Sequence, residues 1–94
     1  MSVEWLFDVI EDRKKNPSEN SYTTSLFKNG LPKIAQKVGE EASEVVVAAL
    51  AQTDERLIAE VADLTYHILV LLSARDLDTG QVLTELRKRH RPTV

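Results

Sequence analysis

The sequence predicts an all-α fold: a small bundle of about four helices around a central antiparallel helix hairpin, completed by dimerisation. Two observations carry this prediction. Of 94 residues 43% are hydrophobic, yet there are only one Trp, two Tyr and two Phe, with three Gly and three Pro; that balance favours helices over a strand-and-turn sandwich. Apolar residues also recur at helical spacing between recognisable start and stop signals. The length suits one domain, residues 1–94, and a chain this short buries a modest core alone, so association with a second copy is expected.

Taken in order, Trp5, Leu6, Val9 and Ile10 mark a first helix from residue 3 to about 15, ended by Asn16-Pro17 because the residue before proline disfavours the helical region. NPSENSYTTSLFKNG follows, rich in Ser, Thr and Asn, and reads as a long loop over 16–31 with room for one helical turn around Thr24–Lys28. Loops of that length in a small domain are usually functional or disordered. Pro32 suits the first turn of a second helix running to about Ala51. Thr53 then resembles an N-cap, with Asp54 and Glu55 in a first turn where the helix dipole favours acids. That third helix should reach about Arg75. Asp78 or Thr79 can cap a fourth, QVLTELRKR, whose basic last turn complements the dipole. The short link between the second and third helices makes them an antiparallel hairpin.

Composition also excludes functions. Without cysteine neither a disulfide framework nor a thiolate metal site is possible, and a cytoplasmic location is expected. The N-terminus MSVEWLFDVIEDRKK has acids in its apolar run and no small-residue cleavage site, unlike a signal peptide. Uninterrupted apolar runs fall short of a span, so no membrane association is expected. A net charge of −3 gives no footprint for nucleic acid. Basic residues nevertheless cluster at Arg13–Lys15, at Lys28, Lys33 and Lys37, and at Arg87–Arg91, where they can meet a small polyanion or, for the last group, complement a helix end.

Most informative is KVGEEASEVVVAAL. At 100° per residue with Ile34 at the origin, Val38, Val45 and Ala49 fall at about 40°, 20° and 60°, and Glu41 at about −20°, inside the same apolar stripe. Glu44, Lys37 and Glu40 fall along one shoulder, at about −80°, −60° and −120°. On the third helix Leu57, Val61, Leu64, Ile68 and Leu71 form the stripe, with Glu60, His67 and Asp63 on its shoulder at about −60°, −80° and −120°. Glu41 and Glu44, and Glu60 and Asp63, are spaced i,i+3, so each pair projects from one side of its helix. Four carboxylates meeting at a partly buried point repel one another, and a divalent cation resolves the conflict. Oxygen-only ligands point to Mg²⁺ or Mn²⁺. With Lys33 and Lys37 nearby, the substrate class is phosphorylated and the chemistry is phosphoanhydride hydrolysis. The competing readings are a solvated acidic face, His67 as a core-edge histidine, lysines that merely pair with the glutamates, and Trp5 and Tyr66 as core or interface aromatics. A di-iron bundle needs Glu-x-x-His pairs, which are missing from these helices.

EEASE at 40–44 with EVAD at 60–63 resembles the EExxE and ExxD signature of the all-α nucleotide pyrophosphohydrolases, the MazG-like superfamily. More specifically, SYTTSLFKNGLPKIAQKVGEEASEVVVAAL and EVADLTYHILVLL are similar to the phosphoribosyl-ATP pyrophosphatase family over nearly the whole chain. This resemblance implies Mg²⁺-dependent hydrolysis of 1-(5-phospho-β-D-ribosyl)-ATP to the AMP derivative and pyrophosphate, the second step of histidine biosynthesis. It implies a cytosolic homodimer of the stand-alone form, passing product to a separate cyclohydrolase. By position, Glu41, Glu44, Glu60 and Asp63 match metal-binding acids, and Glu40 matches an extra acid that can assist the attacking water. The division of that role between Glu40 and Glu44 stays open. Lys33, Lys37, Tyr22 and Thr23 match substrate-binding positions. The alternatives are a broad-specificity house-cleaning NTP pyrophosphohydrolase and, in another class, a non-catalytic helical module with an acidic face.

Overall fold

Five helices make up the computed structural model, which describes residues 3–89: α1 (Glu4–Lys15), α2 (Tyr22–Asn29), α3 (Leu31–Ala51), α4 (Asp54–Ala74) and α5 (Thr79–Arg89), with no strand among the described residues. Residues 1–2 and 90–94 of the expected 1–94 domain lie outside that range, as does Arg91 of the C-terminal basic cluster. The expected helices and the α3–α4 hairpin are present. What differs is the segment between α1 and α3, where an eight-residue helix replaces half of the expected loop.

That helix is set by local bonds. The Ser21 side chain caps it, accepting from Thr24 N–H at 3.1 Å, and the buried Thr24 hydroxyl accepts from Ser18 N–H at 3.0 Å. At its other end Gly30 takes φ 91° and ψ 169°, donating its N–H toward the carbonyls of Leu26 and Phe27. Only glycine adopts that conformation cheaply, so one residue ends α2 and, with Pro32 in the next turn, begins α3. The Ser and Thr run competes with helix in an isolated peptide; capping and burial overrule it here.

The remaining boundaries follow the predicted signals. Thr53 caps α4, its hydroxyl accepting from Arg56 N–H at 3.2 Å. Of the two candidate caps for α5, Asp78 is used: its carboxylate accepts from Gln81 N–H at 2.9 Å while the Gln81 amide oxygen accepts from Asp78 N–H at 2.9 Å, a reciprocal capping box. The end of α4 is a Schellman arrangement, with Leu77 N–H on the Leu72 carbonyl at 2.8 Å, Asp76 N–H on the Ser73 carbonyl at 3.0 Å, and Asp76 at φ 58°.

Helices α1 and α2 pack on one side of the α3–α4 hairpin, burying Phe7, Ile10, Leu26, Ile34, Leu69 and Val70. This corrects the predicted stripes. Val38, Val45, Leu57, Leu64 and Leu71 are half-buried, Ala49, Val61 and Ile68 are exposed, and Ala48, Leu69 and Val70 are buried in their place. Both hairpin helices are apolar around much of their circumference, and tertiary packing covers only one flank in a single copy. Trp5 is 65% exposed rather than core, and Tyr66 is half-buried. None of α5 is buried. By length and a mean hydropathy of 1.6, α4 would allow a membrane crossing, which uninterrupted apolar runs had not indicated. Glu60 and His67, however, are turned into the protein interior from its middle.

Lys14 fastens the C-terminal ends of α1 and α4. Its ammonium donates to the Ser73 carbonyl at 2.7 Å and pairs with Glu11 at 3.1 Å and Asp76 at 3.2 Å, while the buried Ser73 hydroxyl donates to Glu11. Burial lowers the Lys14 pKa, but the Glu11 and Asp76 carboxylates outweigh it and the net shift is upward. Replacing Lys14 by Met should cost about 1–2 kcal/mol in urea unfolding, because a partly buried carbonyl loses its charged donor. An ordinary surface ion pair would be worth about 0.5 kcal/mol or less, and a loss that small would show that this contact does not fasten the helices.

Candidate metal centre

The hairpin brings three of the predicted acids together. Glu41 from α3 and Glu60 from α4 are buried, at 7% and 6% exposure, and carboxylate oxygens of Glu41, Glu60 and Asp63 lie within 4.8 Å of one another. Two full charges about 5 Å apart repel by roughly 3 kcal/mol at an effective dielectric of 20. Glu44, exposed on α3, stands outside that trio. Hydrogen bonding with Glu41 and then Glu60, reinforced by their charges, pushes its carboxyl up to about 7.

Cationic side chains meet only part of this charge. Lys37 reaches Glu41 at 3.4 Å and Glu40 at 3.6 Å, and Arg56 donates to Glu60 at 2.5 Å. One oxygen each of Glu41 and Glu60, Oε2 in both, is buried without a hydrogen-bond partner. A buried carboxylate oxygen left unpaired is costly, and two of them in a group of three neighbouring carboxylates fit a hard divalent cation such as Mg²⁺ or Mn²⁺, which takes oxygen ligands. His67, the other metal-capable group nearby, is already engaged: its Nδ1 is 2.7 Å from the Asp63 carbonyl and its Nε2 is 3.1 Å from the Tyr22 hydroxyl. It is the core-edge histidine rather than a ligand, with a backbone carbonyl and a phenol as its partners.

Not every predicted site residue joins the cluster. Glu40 is exposed on the outer shoulder, held by Gln36 at 2.8 Å and by Lys37, and the Gln36 amide, with Lys37 and Lys33, lowers its pKa. Lys33 is exposed beside it. Tyr22, the first residue of α2, lies over α4 through its bond to His67, and Thr23 is turned to the Tyr66 hydroxyl. Arg87, Lys88 and Arg89 lie on exposed α5, where Arg89 pairs with Glu85 at 2.9 Å. Two contributors were overlooked in the sequence. Arg56 carried a readable signal, an i,i+4 spacing to Glu60; the pairing of Tyr22 with His67, 45 positions apart, carried none.

Comparison with known proteins places the chain in a family. The chain is 51% identical over 87 residues to a phosphoribosyl-ATP pyrophosphatase of Clostridium botulinum, covering 93% of this chain and 79% of the relative. It is 54% identical over 84 residues to one of Listeria monocytogenes, covering 89% and 81%. It also matches, at 52% over 86 residues, the histidine biosynthesis bifunctional protein HisIE of Pyrococcus furiosus, covering 92% of this chain and 40% of that longer protein. The profile of the phosphoribosyl-ATP pyrophosphohydrolases matches residues 3–90, and the chain therefore belongs to the phosphoribosyl-ATP pyrophosphohydrolase family.

Proposed function

We propose that this protein hydrolyses 1-(5-phospho-β-D-ribosyl)-ATP to 1-(5-phospho-β-D-ribosyl)-AMP and pyrophosphate, in the second step of histidine biosynthesis. The observation that carries the reading is the carboxylate cluster with its two unpartnered buried oxygens, in a chain whose family acts on this nucleotide. Glu41, Glu60 and Asp63, with Glu44 at the rim, would hold Mg²⁺ or Mn²⁺. Such an ion, when bound, neutralises phosphate oxygens and makes a bound water more acidic. Water adds at the anhydride between the α and β phosphates, the bond to the departing pyrophosphate breaks, and the water's proton passes to a base. Glu44 suits that role better than Glu40, since it stands beside Glu41 and Glu60, whereas Glu40 is tied to Gln36 and Lys37. Lys37 and Lys33 offset the remaining charge of the triphosphate, and Tyr22 and Thr23 on α2 border the approach. The product then passes to the cyclohydrolase of the next step.

The same reading makes the protein a cytoplasmic homodimer. Near the hairpin tip Val46, Val47 and Leu50 on α3 and Ile58 and Val61 on α4 are all exposed, Leu50 at 83%. A helix apolar around most of its circumference needs covering on every side, and a patch of this kind marks an interaction surface. An apolar groove of about 400 Å³, lined by Val3, Ile68, Leu72, Val82 and Leu83, adds area away from the carboxylates.

Pyrophosphate release should be measured with phosphoribosyl-ATP, ATP and deoxynucleoside triphosphates, each with Mg²⁺ and with EDTA. Release from phosphoribosyl-ATP alone, abolished by EDTA, is the expected result. Comparable turnover of common nucleotides would move the assignment to a house-cleaning pyrophosphohydrolase, and no metal-dependent turnover at all would leave a binding module.

A further inference from the structure

We propose that His67 is a positioning residue that fixes the direction of the Tyr22 hydroxyl, so that Tyr22 offers the site an acceptor only and contributes no proton to a phosphate. This rests on the hydrolase reading above, in which Tyr22 borders the approach of the triphosphate.

The geometry leaves little choice of proton placement. His67 is 5% exposed, and its Nδ1 lies 2.7 Å from the Asp63 backbone carbonyl. A carbonyl only accepts, so Nδ1 carries the hydrogen and donates. In the neutral ring Nε2 is then bare, and the Tyr22 hydroxyl at 3.1 Å donates to it. Tyr22 has one hydroxyl proton, and His67 takes it. The lone pairs left on the phenol oxygen can then only accept. A chain of oriented groups thus runs from the backbone of Asp63, through the imidazole, to the phenol at the start of α2.

The aromatic rings reinforce the arrangement. His67 packs edge-on against Tyr66 with centroids 5.0 Å apart and against Tyr22 at 5.9 Å, while Tyr22 and Tyr66 stack at 6.1 Å. Thr23 hydrogen-bonds the Tyr66 hydroxyl, so neighbouring residues at the start of α2 are pinned to adjacent residues of α4. Two such pins set both the position of α2 and the rotamer of Tyr22.

Four variants test the assignment. His67→Asn keeps a donor for the Asp63 carbonyl and removes the acceptor for Tyr22; His67→Gln keeps an acceptor near the Nε2 position; Tyr22→Phe removes the hydroxyl; and Tyr22→Phe/His67→Asn removes both. With phosphoribosyl-ATP at saturating Mg²⁺, KM should rise about three- to tenfold in Tyr22→Phe and in His67→Asn with kcat changed by less than about twofold, the signature of lost ground-state positioning. The double variant should be no worse than the more affected single variant, because both remove one interaction, and His67→Gln should recover most of the loss. An unchanged KM in Tyr22→Phe, multiplicative effects, or a fall in kcat showing that the phenol serves the transition state would overturn the proposal. Should His67→Asn fail to fold, Tyr22→Phe and His67→Gln decide the question alone. A second readout needs no turnover: long-range ¹H–¹⁵N NMR of the imidazole should show His67 protonated at Nδ1, with its Nε2 resonance moved by Tyr22→Phe. An Nε2-protonated ring would refute the proposal whether or not the enzyme turns over, whereas an inactive wild type showing the expected tautomer would refute only the hydrolase reading.

Discussion

Glu41→Gln should lower kcat for pyrophosphate release on the order of a thousandfold, yet leave the melting temperature of the metal-free protein unchanged or higher. Glu41 is buried within 4.8 Å of the Glu60 and Asp63 carboxylates, so removing its charge relieves repulsion that folding otherwise has to overcome. Against this stands one contact to Lys37 at 3.4 Å, which also holds Glu40 and is only partly replaced by a neutral amide. Asp63→Ala should behave alike. Added Mg²⁺ should stabilise the wild type, by about 2.7 kcal/mol at a hundred times its Kd, and stabilise neither variant. Metal affinity should also increase as pH rises from about 6 to about 8. Glu44 titrates near 7, is protonated below that value, and must lose its proton to join the ligands; a carboxyl at its ordinary value would show no such dependence. Thermal melts with and without Mg²⁺, beside single-turnover assays, check all of this. An active Glu41→Gln variant would remove the metal reading, and an unfolded one would assign the carboxylate a structural role.

Leu50→Asp should convert a species of about twice 10.6 kDa in light scattering to a monomer, with a marked fall in the urea midpoint. Within one copy Leu50 is 83% exposed, and a substitution there would change stability by only about 0.5 kcal/mol or less. At an interface the same change forfeits roughly 2 kcal/mol of apolar burial per copy and also buries a carboxylate. The two cases are separated by effect size alone. A variant that retains the wild-type mass and midpoint would place the dimer contact elsewhere or exclude it.

How much was legible depends on whether the signal was local. The starts of α3 and α4 came from Pro32 and Thr53, and the end of α1 from Asn16-Pro17, because backbone geometry and capping act within a turn or two. The acidic pairs were legible because i,i+3 spacing fixes their helix side. Helix α2 was not. Its Ser and Thr residues favour turns in isolation, and its stability comes from Thr24 and Leu26 being buried against elements distant in sequence.

For this protein the amino-acid order by itself determined an all-α chain, a central hairpin and two carboxylate pairs able to face one another, all products of short-range periodicity. Tertiary structure alone decided which flank of the hairpin is covered, since α3 and α4 are apolar on more than one side and helical spacing cannot choose between them. It also decided that Glu44 feels the charge of Glu41 and Glu60 while Glu40 is held by Gln36 and Lys37. Both are exposed on one shoulder of α3, and only the direction of the facing helix distinguishes the carboxyl beside Glu60 from the one beside Gln36. The pairing of Tyr22 with His67 belongs to the same class, because a hydrogen bond between distant positions exists only once the helices that carry it have packed.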